Sequence, residues 1–184
     1  MRSRSFLPAL LLGLACVAAG CDNAPKTTAA DGATAIPTPS RAAVKASIAL
    51  EKGGKVEMDL YPDVAPATVE NFAKLSEAGF YNGLTFHRVE PGFVVQGGDP
   101  NGNGTGGPGY AIKGEFSGKP HLRGTVAMAR TADPDSAGSQ FYICLAPAPF
   151  LDGKYAVFGQ VTKGMEFVDQ IAKGDKMTRV DITR

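Results

Sequence analysis

Three features of this 184-residue sequence could support chemistry: a glycine-rich loop, two histidines, and one cysteine outside the N-terminal segment. The loop, residues 96–109, places glycines at positions 102, 104 and 107, which is the spacing of a dinucleotide-binding loop. Such loops hold phosphate because a helix begins directly after them and offers free N–H groups. Here Pro108-Gly109-Tyr110 follows and no helix begins, so the sequence favours a tight structural turn over a nucleotide site.

The histidines and the cysteine favour structural roles. His87 and His121 are isolated from each other, so no metal site is predicted, and no cofactor either. His87 directly precedes Arg88 in a β-like run, so their side chains should point to opposite faces of the strand. Cys144 lies in the apolar run FYICL and is expected to pack as a small hydrophobic residue.

Three blocks around Arg88 carry a resemblance to a known family. They are TFHRVEPGFVVQGGD at 85–99, AMARTADPDSAGSQFYICL at 127–145 and FLDGKYAVFGQV at 150–161. In this order, and over residues 44–184, the sequence resembles the cyclophilin family of peptidyl-prolyl cis-trans isomerases. The resemblance implies an all-β fold, a closed eight-stranded antiparallel β-barrel capped by two α-helices. It implies an enzyme that interconverts the cis and trans forms of X-Pro peptide bonds in unfolded or folding proteins, without a cofactor.

The same resemblance assigns roles to single residues by position. Arg88 is the expected catalytic residue. The expected wall for the proline ring consists of Phe93, Val94, Tyr142 and Leu151. The expected border for the peptide consists of Gln96, Ala129, Arg130 and Gln140, with Ala129 and Arg130 acting partly through their backbone. Two further substrate-binding residues, Phe150 and Tyr155, stand where many eukaryotic members have Trp and His.

Three of these positions depart from the usual family residue. Tyr142 replaces Phe, so its hydroxyl needs a partner or water. Val94 replaces a frequent Met, which gives a smaller and stiffer wall. Phe150 replaces a Trp that in other members donates a hydrogen bond to cyclosporin, so weak cyclosporin binding is predicted.

An arginine beside an apolar pocket suits this reaction on physical grounds. Amide resonance gives the prolyl bond a rotation barrier of about 18–20 kcal/mol. A guanidinium that donates to the prolyl nitrogen favours the twisted bond, because the nitrogen lone pair accepts only when conjugation is lost. An acceleration of about five decades corresponds to about 7 kcal/mol of such differential binding. The competing interpretation is a binding module that holds proline-containing segments and turns them over little.

The elements that must position these residues are short strands and two helices. β-like segments at 44–50 and 55–61 flank Glu51-Lys52-Gly53-Gly54, which predicts a hairpin. A helix is predicted from Pro66 to a stop at Gly79, and a second over residues 165–173. Further strands are predicted in LTFHRV, FVVQ, TVAMAR, FYICL, AVFGQV and MTRVDITR. Many strands with two helices favour a closed barrel over a βαβ sheet, with Phe86 and Phe141 inside it.

The N-terminal region predicts export. Residues 1–21 have a basic start, a short apolar stretch and Ala18-Ala19-Gly20 before Cys21, which resembles a lipobox with Cys21 as the lipidated first mature residue. Residues 22–42 predict a flexible tether, and residues 43–184 the isomerase domain. The expected location is the periplasmic face of a bacterial membrane. The alternative is a soluble periplasmic protein, because lipoboxes prefer Leu where Ala18 stands.

The amino-acid composition indicates the broad class of protein. The content of hydrophobic residues is 43% and that of charged residues 20%, which is typical of a soluble globular protein. The net charge is only +1, so nothing favours nucleic acid as a partner. The expected state is a monomer.

Overall fold

The computed structural model describes residues 43–184. The predicted signal peptide, the lipidation site Cys21 and the tether lie outside the described residues. The helices are α1 Pro66–Glu77 and α2 Met165–Val168, and a single 3-10 turn spans Pro149–Leu151. The strands are β1 Val44–Leu50, β2 Lys55–Leu60, β3 Arg88–Glu90, β4 Val94–Gly97, β5 Thr125–Met128, β6 Phe141–Cys144, β7 Val157–Lys163 and β8 Met177–Thr183.

The first hairpin and the first helix form where the sequence predicts them. β1 and β2 pair antiparallel with Ile48 opposite Val56, and alternate residues of β1 are buried. The helix α1 begins at Pro66 and ends just before Gly79, whose φ of 70° is readily accessible only to glycine.

The eight strands form one antiparallel sheet in the order β3-β4-β6-β5-β7-β2-β1-β8. The predicted closure of this sheet needs correction, because among residues 43–184 no ladder joins β3 to β8, and the sheet is a curled, open half-barrel. β3 has only three residues, and the chain before it reaches the β8 side through one isolated bridge, Thr85 to Lys176. Single backbone hydrogen bonds continue this contact, including Phe86 N–H to Asp175 O at 2.8 Å.

The second helix is shorter than predicted. Helical geometry stops at Val168, although the apolar spacing extends to Ile171. The Asp175 carboxylate accepts the N–H of Ala172 at 2.9 Å, and the N–H of Gly174 donates to Phe86 O. The first of these bonds forms a local turn after α2, and the second attaches this segment to the chain at Phe86.

The core lies between α1 and the concave face of the sheet. Phe72 of α1 meets Phe141 edge-on, with ring centroids 5.4 Å apart. Phe86 and Phe141 are fully buried in this core, as predicted. Because side chains alternate along a strand, Val94, Tyr142 and Cys144 point to the opposite face of the sheet and form a second, smaller cluster. Burial raises the pKa of the Cys144 thiol to about 12, which fits the packing role predicted for it.

Candidate active site

A cleft of about 260 Å³ opens over this second cluster. Its lining consists entirely of residues that the sequence predicts for the site. They are Arg88, Phe93, Val94, Gln96, Ala129, Arg130, Tyr142, Leu151 and Tyr155. They come from β3, the turn between β3 and β4, β4 itself, β6, the chain after β5, and the 3-10 turn with the residues that follow it.

A turn between β3 and β4 lets two successive residues share this cleft. Gly92 has a φ of 72°, and Phe93 N–H donates to Glu90 O at 2.9 Å. Phe93 therefore precedes the regular strand, while Val94 is its first residue. This geometry confirms the expectation that Phe93 and Val94 can meet one pocket only if the chain turns there.

Arg88 lies at the mouth of the cleft, with 45% of its side chain exposed. Its guanidinium donates to Gln96 Oε1 at 3.4 Å and lies 3.6 Å from the Glu90 carboxylate. The guanidinium carbon is also 5.9 Å from the centre of the Phe93 ring. These contacts aim the charge at the cleft without enclosing it, so a group bound on the apolar wall remains within its reach.

Two glutamines connect Arg88 to the glycine-rich loop. Gln96 Nε2 donates to Gln140 Oε1 at 3.0 Å, and Gln140 Nε2 donates to the carbonyl oxygens of Gly104 and Gly106. Gln140 does not line the 260 Å³ cleft, but it lines an adjoining cleft of about 550 Å³ between this loop and residues 129–140. The glycine-rich loop thus supports the side chains beside Arg88.

The glycine-rich loop is itself wrapped around the buried carboxylate of Asp99. The backbone N–H groups of Asn101, Asn103, Gly104 and Gly106 all donate to it. Burial alone would raise the pKa of Asp99, but these four donors outweigh burial and lower it. Sequence reasoning missed this anchor, although an aspartate heading a run of Asn and Gly is a signal for such a turn.

Arg130 forms part of the rim. Its guanidinium carbon lies 4.7 Å from the centre of the Tyr155 ring, and its Nη2 donates to the carbonyl of Lys154 at 2.8 Å. The N–H of the adjacent Ala129 donates a hydrogen bond to Gln140 O at 2.9 Å. Arg130 therefore stabilises the segment that carries Tyr155.

The hydroxyl of Tyr142 has a partner that sequence reasoning did not find. It lies 3.0 Å from Nε2 of His121, and Nδ1 of the same ring lies 2.8 Å from Asp152. Burial raises the pKa of Tyr142 far above its ordinary value, so the ring stays neutral. The need of a buried tyrosine for a partner was the only signal in the sequence, and it did not identify His121.

Phe150 is the one predicted residue that contributes to neither cleft. It lies on the exposed 3-10 turn with 61% of its surface accessible. Its ring centroid is 5.6 Å from that of Phe93, so it extends the apolar wall outwards.

His87 directly precedes strand β3 and lines neither cleft. It is buried, and neither ring nitrogen has a hydrogen-bond partner among residues 43–184. Burial lowers the pKa of His87, against the opposing effect of Asp99, and Arg88 and Lys173 lower it further. A buried, neutral imidazole behind Arg88 is consistent with the structural role predicted for it.

Residues 43–184 contain neither a candidate metal centre nor a helix that could span a membrane. No group of three or more His, Cys, Asp or Glu side chains in this range is arranged to hold a metal ion. No helix within the same residues is both long enough and apolar enough to cross a bilayer.

Comparison with known proteins identifies the family and agrees with this fold. A family model described as cyclophilin type peptidyl-prolyl cis-trans isomerase matches residues 45–184. Peptidyl-prolyl cis-trans isomerase B of Bacillus subtilis is 55% identical over 135 residues, which cover 72% of this chain and 94% of the relative. A crystal structure of a cyclophilin type isomerase from Cryptosporidium parvum is similar, with a TM-score of 0.72 and 28% identity over 77% of this chain and 98% of that one.

A second crystal structure of the Cryptosporidium protein was determined in the presence of the dipeptide Ala-Pro. It matches with a TM-score of 0.70 and 27% identity, covering 76% of this chain and 99% of that one. Fold, site and relatives together define a peptidyl-prolyl cis-trans isomerase. The chain belongs to the cyclophilin-type family of these enzymes.

Proposed function

We propose that Arg88 is the catalytic residue and that the 260 Å³ cleft binds the proline ring. The observation that carries this proposal is the convergence of one half-exposed guanidinium and an apolar wall in a single cleft. Phe93, Val94, Tyr142 and Leu151 surround the ring, while Gln96 and Gln140 face the peptide beside it. The Ala-Pro dipeptide used with the Cryptosporidium relative supports proline-containing peptide as the ligand.

The reaction needs no covalent step in this proposal. Once the ring is held on the apolar wall, rotation about the X-Pro bond moves the preceding carbonyl. The Arg88 guanidinium donates to the prolyl nitrogen as conjugation is lost, so it binds the twisted state more tightly than either planar one. Gln96 and Glu90 restrict the guanidinium beforehand, which lowers the cost of orienting it during the reaction.

The experiment compares the cis-to-trans rate of a short Ala-Pro peptide with wild-type protein and with Arg88→Ala. We expect kcat/KM to fall about 100-fold or more, the usual cost of removing one transition-state donor. Arg179→Ala is the matched control, because Arg179 is an exposed arginine on β8, paired with Asp181 and absent from both clefts. An Arg88→Ala variant that is folded and as active as the control would reject the role of Arg88.

The same pair of variants decides between the isomerase and a binding module. A binding module would bind the peptide with little acceleration in the wild-type protein, and Arg88→Ala would change neither property. The isomerase should lose rate in Arg88→Ala while it still binds peptide on the unchanged apolar wall.

We further infer that the protein assists folding of exported or envelope proteins from the periplasmic face of a membrane. The support is the N-terminal sequence, in which a basic start and an apolar stretch precede Cys21. A lipid on Cys21 would anchor a monomeric domain through residues 22–42. Labelling of cells with a radioactive fatty acid should mark the wild-type protein and not Cys21→Ser. A wild-type protein that carries no label and fractionates with soluble periplasmic proteins would favour ordinary cleavage.

A further inference from the structure

A buried histidine connects two walls of the cleft, and the proposed reaction does not use it directly. His121 is 1% exposed and lies between Tyr142 of β6 and Asp152, which directly follows Leu151. It lines neither cleft, so it cannot contact a ligand there.

The hydrogen bonds determine where the ring proton lies. Asp152 Oδ1 accepts both the backbone N–H of His121 at 2.7 Å and its ring Nδ1 at 2.8 Å. These bonds hold the pKa of Asp152 below its ordinary value, so the carboxylate is ionised and can only accept. In the neutral ring Nδ1 therefore carries the proton, and Nε2 must accept the O–H of Tyr142.

This arrangement turns the only polar atom of the Tyr142 side chain away from the cleft. Because the O–H of Tyr142 donates a hydrogen bond to His121, the hydroxyl has no free hydrogen to offer a ligand. The wall therefore stays apolar, although Tyr replaces the usual Phe. The ring of Tyr142 is held as well, because it stacks on His121 with an interplanar angle of 16°.

The same histidine attaches a second segment that lines the cleft. Its carbonyl accepts the N–H of Ala148 at 2.8 Å, just before the 3-10 turn, and its ring meets Tyr155 edge-on at 6.5 Å. Leu151 and Tyr155 lie on this segment and line the cleft together with Tyr142, whose ring meets that of Tyr155 edge-on with centroids 5.9 Å apart. His121 therefore connects Tyr142 to the segment that carries Leu151 and Tyr155.

We propose that His121, oriented by Asp152, is a positioning residue that sets the polarity of the proline pocket through Tyr142. This inference deepens the proposed function and rests on the 260 Å³ cleft being the proline site. Loss of the His121 side chain frees the Tyr142 hydroxyl to face the ligand or to bind water at the wall of the cleft. Binding of the ring weakens in every state of the reaction, whereas the action of Arg88 is retained.

The first test reads the hydrogen bond itself and does not depend on activity. Nitrogen NMR of protein labelled at histidine should show Nδ1 protonated and Nε2 unprotonated for His121 at neutral pH. The sequence contains two histidines, so a His87→Asn variant assigns the signals. Tyr142→Phe should shift the Nε2 signal of His121, because the hydrogen bond that the tyrosine donates to Nε2 is lost. A ring protonated at Nε2, or a signal unmoved by Tyr142→Phe, would overturn the proposal.

The second test is a double-mutant cycle on the isomerase reaction. We expect His121→Phe to raise KM about tenfold while kcat changes less than about threefold, since a group that binds all states equally acts on KM. Tyr142→Phe provides the second background, in which the hydroxyl is gone, and His121→Phe added to it should change KM much less than His121→Phe does in the wild-type protein. His121→Gln, whose amide oxygen can accept from Tyr142, should recover part of the loss.

Controls separate positioning from simple destabilisation. Ser76→Ala removes another buried hydrogen bond, from Ser76 Oγ to Phe72 O within α1, and should lower stability without changing KM. Equal effects of His121→Phe in both backgrounds, or a wild-type KM in the single variant, would refute the positioning role. If the wild-type protein showed no isomerase activity, the proposed function would fail; the NMR test and the affinity for the Ala-Pro peptide would still decide the role of His121.

Discussion

Phe150 and Tyr142 illustrate how single side chains tune a cleft whose outline is set by the backbone. Tyr142 adds a hydroxyl to the wall, and its oxygen lies 3.0 Å from Nε2 of the buried His121. Phe150 removes an indole N–H from the rim and leaves an exposed phenyl ring beside Phe93. The first change is compensated inside the protein, so it should leave the peptide reaction intact. The second removes a donor from the surface, so its effect should fall on ligands that use that donor.

We therefore expect weak inhibition by cyclosporin and a gain of sensitivity in Phe150→Trp. One restored hydrogen bond contributes about 1 kcal/mol, so the inhibition constant should fall about five- to tenfold. Titration of the isomerase rate with cyclosporin measures this, and Phe150→Leu, which also lacks a donor, is the control. Tight, stoichiometric inhibition of the wild-type protein would contradict the expectation.

At the scale of elements, the junction of β7 and α2 depends on one glycine. Gly164 has a φ of 85° at the N-cap of α2, and a Cβ there would collide with the carbonyl oxygen of Lys55 in β2. Gly53 in the first hairpin has a similar φ of 89°, but a Cβ there would meet no atom within 4 Å. The two positions therefore share the backbone conformation and differ in the space available.

We predict that Gly53→Ala costs about 1–2 kcal/mol of unfolding free energy, the penalty of the left-handed conformation alone. Gly164→Ala should cost at least about 2 kcal/mol more, because the backbone of β2 or α2 must move. Urea denaturation of both variants measures the difference. Equal losses would show that the contact with Lys55 relaxes freely.

Some elements of this fold could be predicted from the sequence and others could not. The hairpin 44–60 and helix α1 were predictable because turn glycines, Pro66 and the apolar spacing act locally. The early end of α2 was not, since the N–H of Gly174 donates to Phe86 O, which is far away in sequence. The residues that line the cleft came from a family resemblance; their polar support, Asp99 and His121, came only from the structure. Such partners are 21 to 31 residues apart for His121, and no local pattern encodes them.

For the molecule as a whole, buried titratable groups predict a loss of stability in acid. The folded state lowers the pKa of His87, so the unfolded state binds that proton more readily and the unfolding free energy falls as the pH drops below about 6.5. The pKa of Asp99 is also lowered by folding, so the stability it contributes is present above its ordinary value of about 3.9 and is lost as the pH falls through the lowered value.

Urea denaturation at pH 7.5, 5.5 and 2.5 should therefore show two successive decreases in unfolding free energy. His87→Asn should reduce the first decrease and Asp99→Asn should reduce the second, although Asp99→Asn also lowers stability at neutral pH by weakening four charged hydrogen bonds, at a cost of about 2–4 kcal/mol. A wild-type protein of constant stability between pH 7.5 and 5.5 would contradict the burial of a neutral His87.

The pairing of β1 with β8 has a consequence for how the protein comes into being. Ala46 lies opposite Ile182, so the strand made first has a partner that the ribosome adds more than 130 residues later. A ribosome adds about 5–20 residues each second, so β1 waits for many seconds with one edge exposed. The sheet can be completed only once Thr183 has left the exit tunnel, and non-local pairing of this kind is slow in itself. The fold of this isomerase is thus completed only at a late stage of its own synthesis, because β1 pairs with the last strand described.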